Sequence, residues 1–188
     1  MNTYIALFRG VNVLGKNLLP MKELVGIFEE LGFCEVRTYI QSGNVVFRSA
    51  PVRKDAAATE IGAAIGSRYG FTPRILLLEP PELRHAVHRN PFPTGNGKAR
   101  HLFFLEYPAP TPDLAALQAL RTGSEAFVLH ETTFYLYTPD GFGRSKLAAK
   151  VERCLGVPAT ARNWNTVREL LALAGEPSRI DRNPATSH

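Results

Sequence analysis

Read as strand or helix from its apolar spacing, the chain gives strand, helix, strand, strand, helix, strand over residues 4–8, 21–31, 35–40, 44–48, 56–69 and 74–78. The same order starts again at residues 101–107. An order that reads twice leaves few topologies, because βαββαβ is the ferredoxin-like unit and two copies imply a tandem arrangement. The expected fold is therefore α+β: tandem ferredoxin-like βαββαβ halves packed into one compact unit, with an extra C-terminal helix. Expected boundaries are 1–79 for the first half, 80–100 for a connector, 101–175 for the second half with the final helix, and 176–188 for a polar tail.

Alternation supports the packed arrangement. Tyr4, Ala6 and Phe8 point to one side of the first strand and Ile5, Leu7 and Arg9 to the other, so both faces are apolar. Leu102 and Phe104 alternate with Phe103 and Leu105 in the same way. A sheet with one wetted face would not show this, so the face without helices is covered by the other half or by a connector helix.

The first helix carries Leu24, Ile27, Phe28 and Leu31 at helical spacing, with Pro20 suited to its first turn and Gly32 to its end. Leu114, Leu117 and Leu120 mark a helix in the second half. Leu147, Val151 and Leu155 mark another, stopped by Gly156. Within the connector, residues 81–90 read as a short helix and residues 90–97 as an irregular loop. The last helix spans about residues 165–174 and the chain beyond Gly175 frays.

With 188 residues, 45% of them hydrophobic, the chain can bury a sizeable core. No apolar run approaches the roughly 20 residues of a membrane span, and the first strand begins at once without a signal-type segment. The expected location is cytoplasmic, with no membrane partner. Cys34 and Cys154 have neither metal-ligand nor redox spacing. A net charge of +5 permits an anionic partner without requiring one, and Arg53, Lys54, Arg179 and Arg182 read as solvated charges.

Topology brings two polar segments together. The first two strands of βαββαβ run the same way, so the loop after strand one and the turn after strand two emerge at one end. Arg9, Asn12, Gly15 and Lys16 should then face Gln41, Ser42, Gly43 and Asn44, with Arg37 and Tyr39 on the approaching strand. Guanidinium, ammonium, hydroxyl, amide and glycine N–H groups are the parts of phosphate and carboxylate sites. Ordinary turn chemistry explains the same residues individually. Gly10 and Gly15 before Lys16 do not make a nucleotide P-loop, because Asn17 replaces the magnesium-binding hydroxyl and Pro20 delays the helix.

Two further loops carry cations. Arg144, Ser145 and Lys146 follow Gly141 and Gly143 at an expected helix start, where exposed N–H groups favour an anion and Ser145 is also a normal N-cap. Arg162, Asn163 and Asn165 surround Trp164 before the last helix; either asparagine can cap it while Trp164 anchors it on the core. His85 and His88 share a helix face with His101 nearby, but no cysteine or acidic partner completes a metal cluster in sequence. No metal or cofactor is expected. Ser42 and Ser145 lack a histidine base in their motifs, so neither reads as a nucleophile.

The segments ALFRGVNVLGKN (residues 6–17), RTYIQSGNVVF (37–47), GFGRSKL (141–147) and ARNWNTV (161–167) resemble the bacterial domain-of-unknown-function 1697 family, in the same order and over nearly the whole chain. The resemblance implies a tandem ferredoxin-like architecture. It supplies no activity and no catalytic residues.

Two function classes follow. The first is a ligand-binding protein or small enzyme for a phosphate- or carboxylate-bearing molecule, held by the basic loops above. The second is an RNA-binding module that stacks bases on a ferredoxin-like sheet, ranked lower because Val45 and Val46 stand where aromatics should alternate and Phe134, Tyr135 and Tyr137 read as packing residues. A structural or interaction role is the third reading. The sequence specifies no oligomeric state.

Overall fold

A computed structural model describes residues 1–92 and 96–175. The first half runs β1 (Asn2–Arg9), α1 (Met21–Glu30), β2 (Cys34–Thr38), β3 (Asn44–Ser49), α2 (Lys54–Tyr69) and β4 (Arg74–Leu78). After a connector helix α3 (Pro80–His88), the second half runs β5 (Arg100–Leu105), α4 (Leu114–Leu120), β6 (Ala126–His130), β7 (Thr133–Tyr137), α5 (Val151–Leu155) and β8 (Ala159–Asn163). Helix α6 (Trp164–Leu173) ends the described chain. The expected tail and the middle of the Pro/Gly loop lie outside the described residues.

Each half folds as expected. The sheets are ordered β2-β3-β1-β4 and β6-β7-β5-β8, and every neighbouring pair is antiparallel. Tyr4, Ala6 and Phe8 pack with Phe28 of α1 and Ile61 of α2, while Phe103 and Leu105 pack with Leu117 of α4 and Val151 of α5. On the reverse faces, Ile5 and Leu7 join Leu102, Phe104 and Tyr135 in a middle core. Leu83 of α3 and Trp164 of α6 belong to that core too, so the second apolar face is covered by the other half and by two helices together. Burying one such aliphatic side chain contributes about 1.5–3 kcal/mol, which makes the middle layer an obligatory part of the fold.

Local chemistry sets the helix ends. Pro20 stands at the N-cap of α1, and the helix closes with Phe33 N donating to Phe28 O (3.0 Å) and Gly32 N to Glu29 O (2.9 Å). That pair of bonds is a Schellman closure, and its hydrophobic contact is Phe28 on Phe33, with ring centroids 5.6 Å apart. Helix α3 starts at Pro80, earlier than the spacing predicts, because Glu79 and Glu82 form a reciprocal capping box. Lys54 opens α2 and pairs with Glu82 at 2.7 Å, so it is not a freely solvated loop charge.

One expected helix is shorter. The segment through Leu147, Val151 and Leu155 divides into a 3-10 turn, Ala148–Lys150, and the five-residue α5. Ser145 Oγ accepts from Ala148 N (2.9 Å), which caps the 3-10 turn separately. The exposed N–H groups and helix dipole expected to favour an anion at this helix start are correspondingly reduced.

Candidate functional site at the rim between the halves

β1 leaves its sheet at Arg9, and its antiparallel pairing with β3 sets the β2–β3 turn beside that end. Phe8 N donates to Gly43 O (2.8 Å). The following loop doubles back as a small hairpin, with Asn12 N on Asn17 O (3.1 Å) and Lys16 N on Val13 O (2.9 Å). Asn12 locks this hairpin to the turn: its Oδ1 accepts from Leu19 N (2.8 Å), and its Nδ2 donates to Leu19 O (2.9 Å) and Gln41 O (2.8 Å). The two polar loops of the first half therefore meet, as their topology predicts.

The second half reaches the same end. Asn44 is fully buried; its Nδ2 donates to Tyr39 O (3.1 Å) and Ser42 Oγ (2.9 Å), while its Oδ1 accepts from Arg162 Nε (2.5 Å). Arg162 also donates through Nη2 to Phe8 O (2.7 Å), Gly43 O (3.1 Å) and Ser42 O (3.3 Å), and through Nη1 to Ala161 O (2.8 Å). Every one of these acceptors is neutral. Burial lowers the Arg162 pKa to about 10, which leaves the guanidinium charged at neutral pH. Its Nε and Nη2 donors are committed to joining the halves, and Nη1 is held by the neighbouring carbonyl of its own strand.

A second bridge lies at Arg9, whose Nη1 is 2.5 Å from Glu152 Oε1 on α5. Beside it is an open cleft of about 460 Å³ lined by Arg9, Ala149, Glu152, Arg153, Gly156 and Pro158 among others. Arg9 remains 43% exposed there, so solvent reaches this cation although it contacts both halves, and its register partner on β4, Arg74, likewise pairs with Glu106 of the second half at 3.4 Å.

The other sequence candidates are distributed around this end and beyond it. Ser145 is buried as a cap, between exposed Arg144 and Lys146. Asn163 caps α6, accepting from Asn165 N (3.0 Å) and donating to Gly97 O (3.1 Å) and Lys98 O (3.3 Å). Asn165 is exposed, with its amide oxygen against the Gly97 backbone. Arg37 pairs with Glu35 at 3.6 Å on strand β2. Lys16 is exposed on the hairpin. Among the described residues, no side-chain hydrogen bond or ion pair ties Lys16, Arg144 or Lys146 into the Asn44–Arg162 cluster.

Sequence reading missed Glu152 and Arg153. Both fall between the core positions Val151 and Leu155, which marks an outward face, but the partner Arg9 is 143 residues away. It also missed the environment of His101, whose ring stacks on Phe142 with centroids 4.0 Å apart and whose pKa is pushed down to about 4 by burial.

The surface an RNA-recognition domain would offer is inside. Val46, Leu102 and Tyr135 lie in the middle core, with Tyr135 Oη donating to Ala86 O (2.8 Å), and Phe134 is in the core of the second half. Tyr137 stacks on Phe92 at 5.8 Å.

The family model for DUF1697, described as a protein of unknown function, matches residues 1–135. The chain belongs to the DUF1697 family. Among solved structures, conserved bacterial protein SP0830 from Streptococcus pneumoniae is similar to this DUF1697 chain, with a TM-score of 0.68 at 22% identity. The likeness covers 92% of this chain and 98% of that one, and it shows a shared fold. No curated protein matches the chain. No helix among the described residues is long and apolar enough to cross a membrane.

Proposed function

We propose that this DUF1697 protein binds a small phosphate- or carboxylate-bearing ligand at the rim between its halves, centred on Arg9 and Arg153. The observation that carries the reading is the Arg9 cleft itself: a guanidinium contacting both halves, open to solvent, and held by one exposed carboxylate. An exposed ion pair of this kind is worth about 0–1 kcal/mol, so an incoming bidentate anion can take the place of Glu152 at little cost.

Arg162, Asn44, Asn12 and Ser42 act in this reading as the frame that positions the rim, because their polar atoms are engaged internally. Lys16, Arg144 and Lys146 supply a wider positive field from exposed loops, and the net charge of +5 supports attraction of an anion. The free thiols Cys34 and Cys154 fit a reducing compartment such as the cytoplasm. RNA recognition is disfavoured because the aromatic residues of the sheets are packed.

A thermal-shift panel of nucleotides, sugar phosphates, coenzymes and dicarboxylates tests the proposal, since a ligand that binds only the native state raises the melting temperature. At least one phosphate or carboxylate compound should stabilise the wild type and lose its effect in Arg9→Ala and Arg153→Ala. Stabilisation that persists in both variants would remove these residues from the site.

A further inference from the structure

On the opposite flank of the middle core, connector helix α3 meets the β6–β7 hairpin. His85 lies in the last turn of α3 and Arg89 caps its C-terminus four residues on, while His130 ends β6 and Glu131 opens the two-residue turn to β7. Glu131 Oε2 stands 3.7 Å from His85 Nε2 and 4.0 Å from His130 Nδ1, and one donor atom from each residue lies within 4.8 Å of the other two. These three side chains edge a cavity of about 380 Å³ that also includes Glu82, Thr133 and Tyr135.

We infer that His85, His130 and Glu131 form a binding site for a divalent transition-metal ion of the zinc type, bridging the connector and the second half. Two imidazoles and one carboxylate with an open side are a donor set that suits such an ion, whereas magnesium and calcium prefer oxygen donors alone. Ligand atoms around tetrahedral zinc lie about 3.3 Å apart, given metal–ligand bonds of about 2.0–2.1 Å. The observed separations are wider by a fraction of an ångström to about one and a half, a gap that rotation of exposed side chains closes. His85 and Glu131 have that freedom, being 53% and 66% exposed.

The hairpin is built to present this carboxylate. Glu131 has φ 52°, at the position of a two-residue turn where glycine, asparagine or aspartate is ordinarily favoured. Its side chain is thereby set between two histidines that are 45 residues apart in sequence.

Arg89 opposes the ion. Its Nη1 lies 3.1 Å from His130 Nε2, and an arginine can only donate, so His130 Nε2 accepts and the ring proton sits on Nδ1. Metal coordination at Nδ1 requires that proton to move to Nε2 and the Arg89 guanidinium to swing away. Arg89 is thus a built-in competitor for the site.

The test is isothermal titration of the full chain with zinc chloride and, separately, magnesium chloride, with metal-free melting curves as the folding control. Wild type should bind one zinc ion per chain and no magnesium. His85→Ala and Glu131→Gln should keep the wild-type metal-free melting temperature and weaken zinc binding at least tenfold, while Arg89→Met should tighten it several-fold. Unchanged zinc binding in both His85→Ala and Glu131→Gln, or no zinc binding by either wild type or Arg89→Met, would overturn the assignment.

Discussion

Arg162 Nε donates to Asn44 Oδ1 at 2.5 Å across a sequence separation of 118 residues, and both partners are enclosed by carbonyls of the first half. The bond joins the end of β8 to the first residue of β3, beside the turn that links β2 and β3. It converts two ferredoxin-like units into one unit with a fixed rim.

Arg162→Ala should cost about 3–5 kcal/mol of unfolding free energy, because it takes the guanidinium donors from the Asn44 amide oxygen and from the Phe8 and Ser42 carbonyls, while Gly43 O keeps Phe8 N. Arg162→Lys should recover little, since one ammonium cannot reproduce the planar fork that reaches Asn44, Phe8 and Gly43 together. Urea denaturation of these variants and of Asn44→Ala, combined as a double-mutant cycle, should give a coupling of about 1–3 kcal/mol.

Gly43 and Gly15 both have left-handed φ, 68° and 73°, but their surroundings differ. A Cβ on Gly43 would lie 2.4 Å from Val11 Cγ2 and 2.5 Å from Phe8 Cβ, whereas one on Gly15 would meet nothing within 4 Å. Gly15→Ala should therefore cost about 1–2 kcal/mol from backbone strain alone. Gly43→Ala should cost at least about 2 kcal/mol more, because overpacking of the core adds to the same strain. Chemical denaturation of the pair separates the two terms.

Leu14 is 95% exposed and has φ 51° at the tip of the loop hairpin. Replacing it with Asn creates an Asn-Gly turn pair, which suits two successive left-handed residues. Leu14→Asn should raise stability by about 0.5–1 kcal/mol, measured by melting temperature.

His101 sets an acid limit. Its pKa is about 4 in the folded chain, against 6.5 in a solvated histidine, because burial against Phe142 disfavours the imidazolium. Below pH 6.5 the unfolded chain takes a proton that the folded chain refuses. The stability contributed is complete above pH 6.5 and is lost progressively down to pH 4, by about 3 kcal/mol at one pKa unit per 1.36 kcal/mol. His101→Phe keeps a ring on Phe142 and should flatten this part of the stability–pH profile.

The fold was legible where apolar spacing is local. Ile5 and Leu7 opposite Tyr4, Ala6 and Phe8 announced a sheet buried on both sides, and Trp164 announced an anchored last helix. Asn163 and Ser145 were legible as caps for the same reason, since a cap acts within three residues. The roles that escaped are those set by distant partners. Nothing near Arg162 reveals that its acceptors are carbonyls of the first half, and nothing near Arg9 names Glu152. The break before α5 was hidden because Leu147, Val151 and Leu155 keep helical spacing through a 3-10 turn. His85 lacked a visible acidic partner because Glu131 reaches it only through the packing of α3 on the second half.

The most direct test of the rim as a binding site is a titration of isotope-labelled protein with the stabilising phosphate or carboxylate compound, followed by amide and arginine side-chain NMR. Saturable shifts at Gly10, Arg153 and Gly156 and at the Arg9 guanidinium, absent in Arg9→Ala, are the predicted result. Saturable shifts confined to another surface, with those signals unmoved, would contradict it.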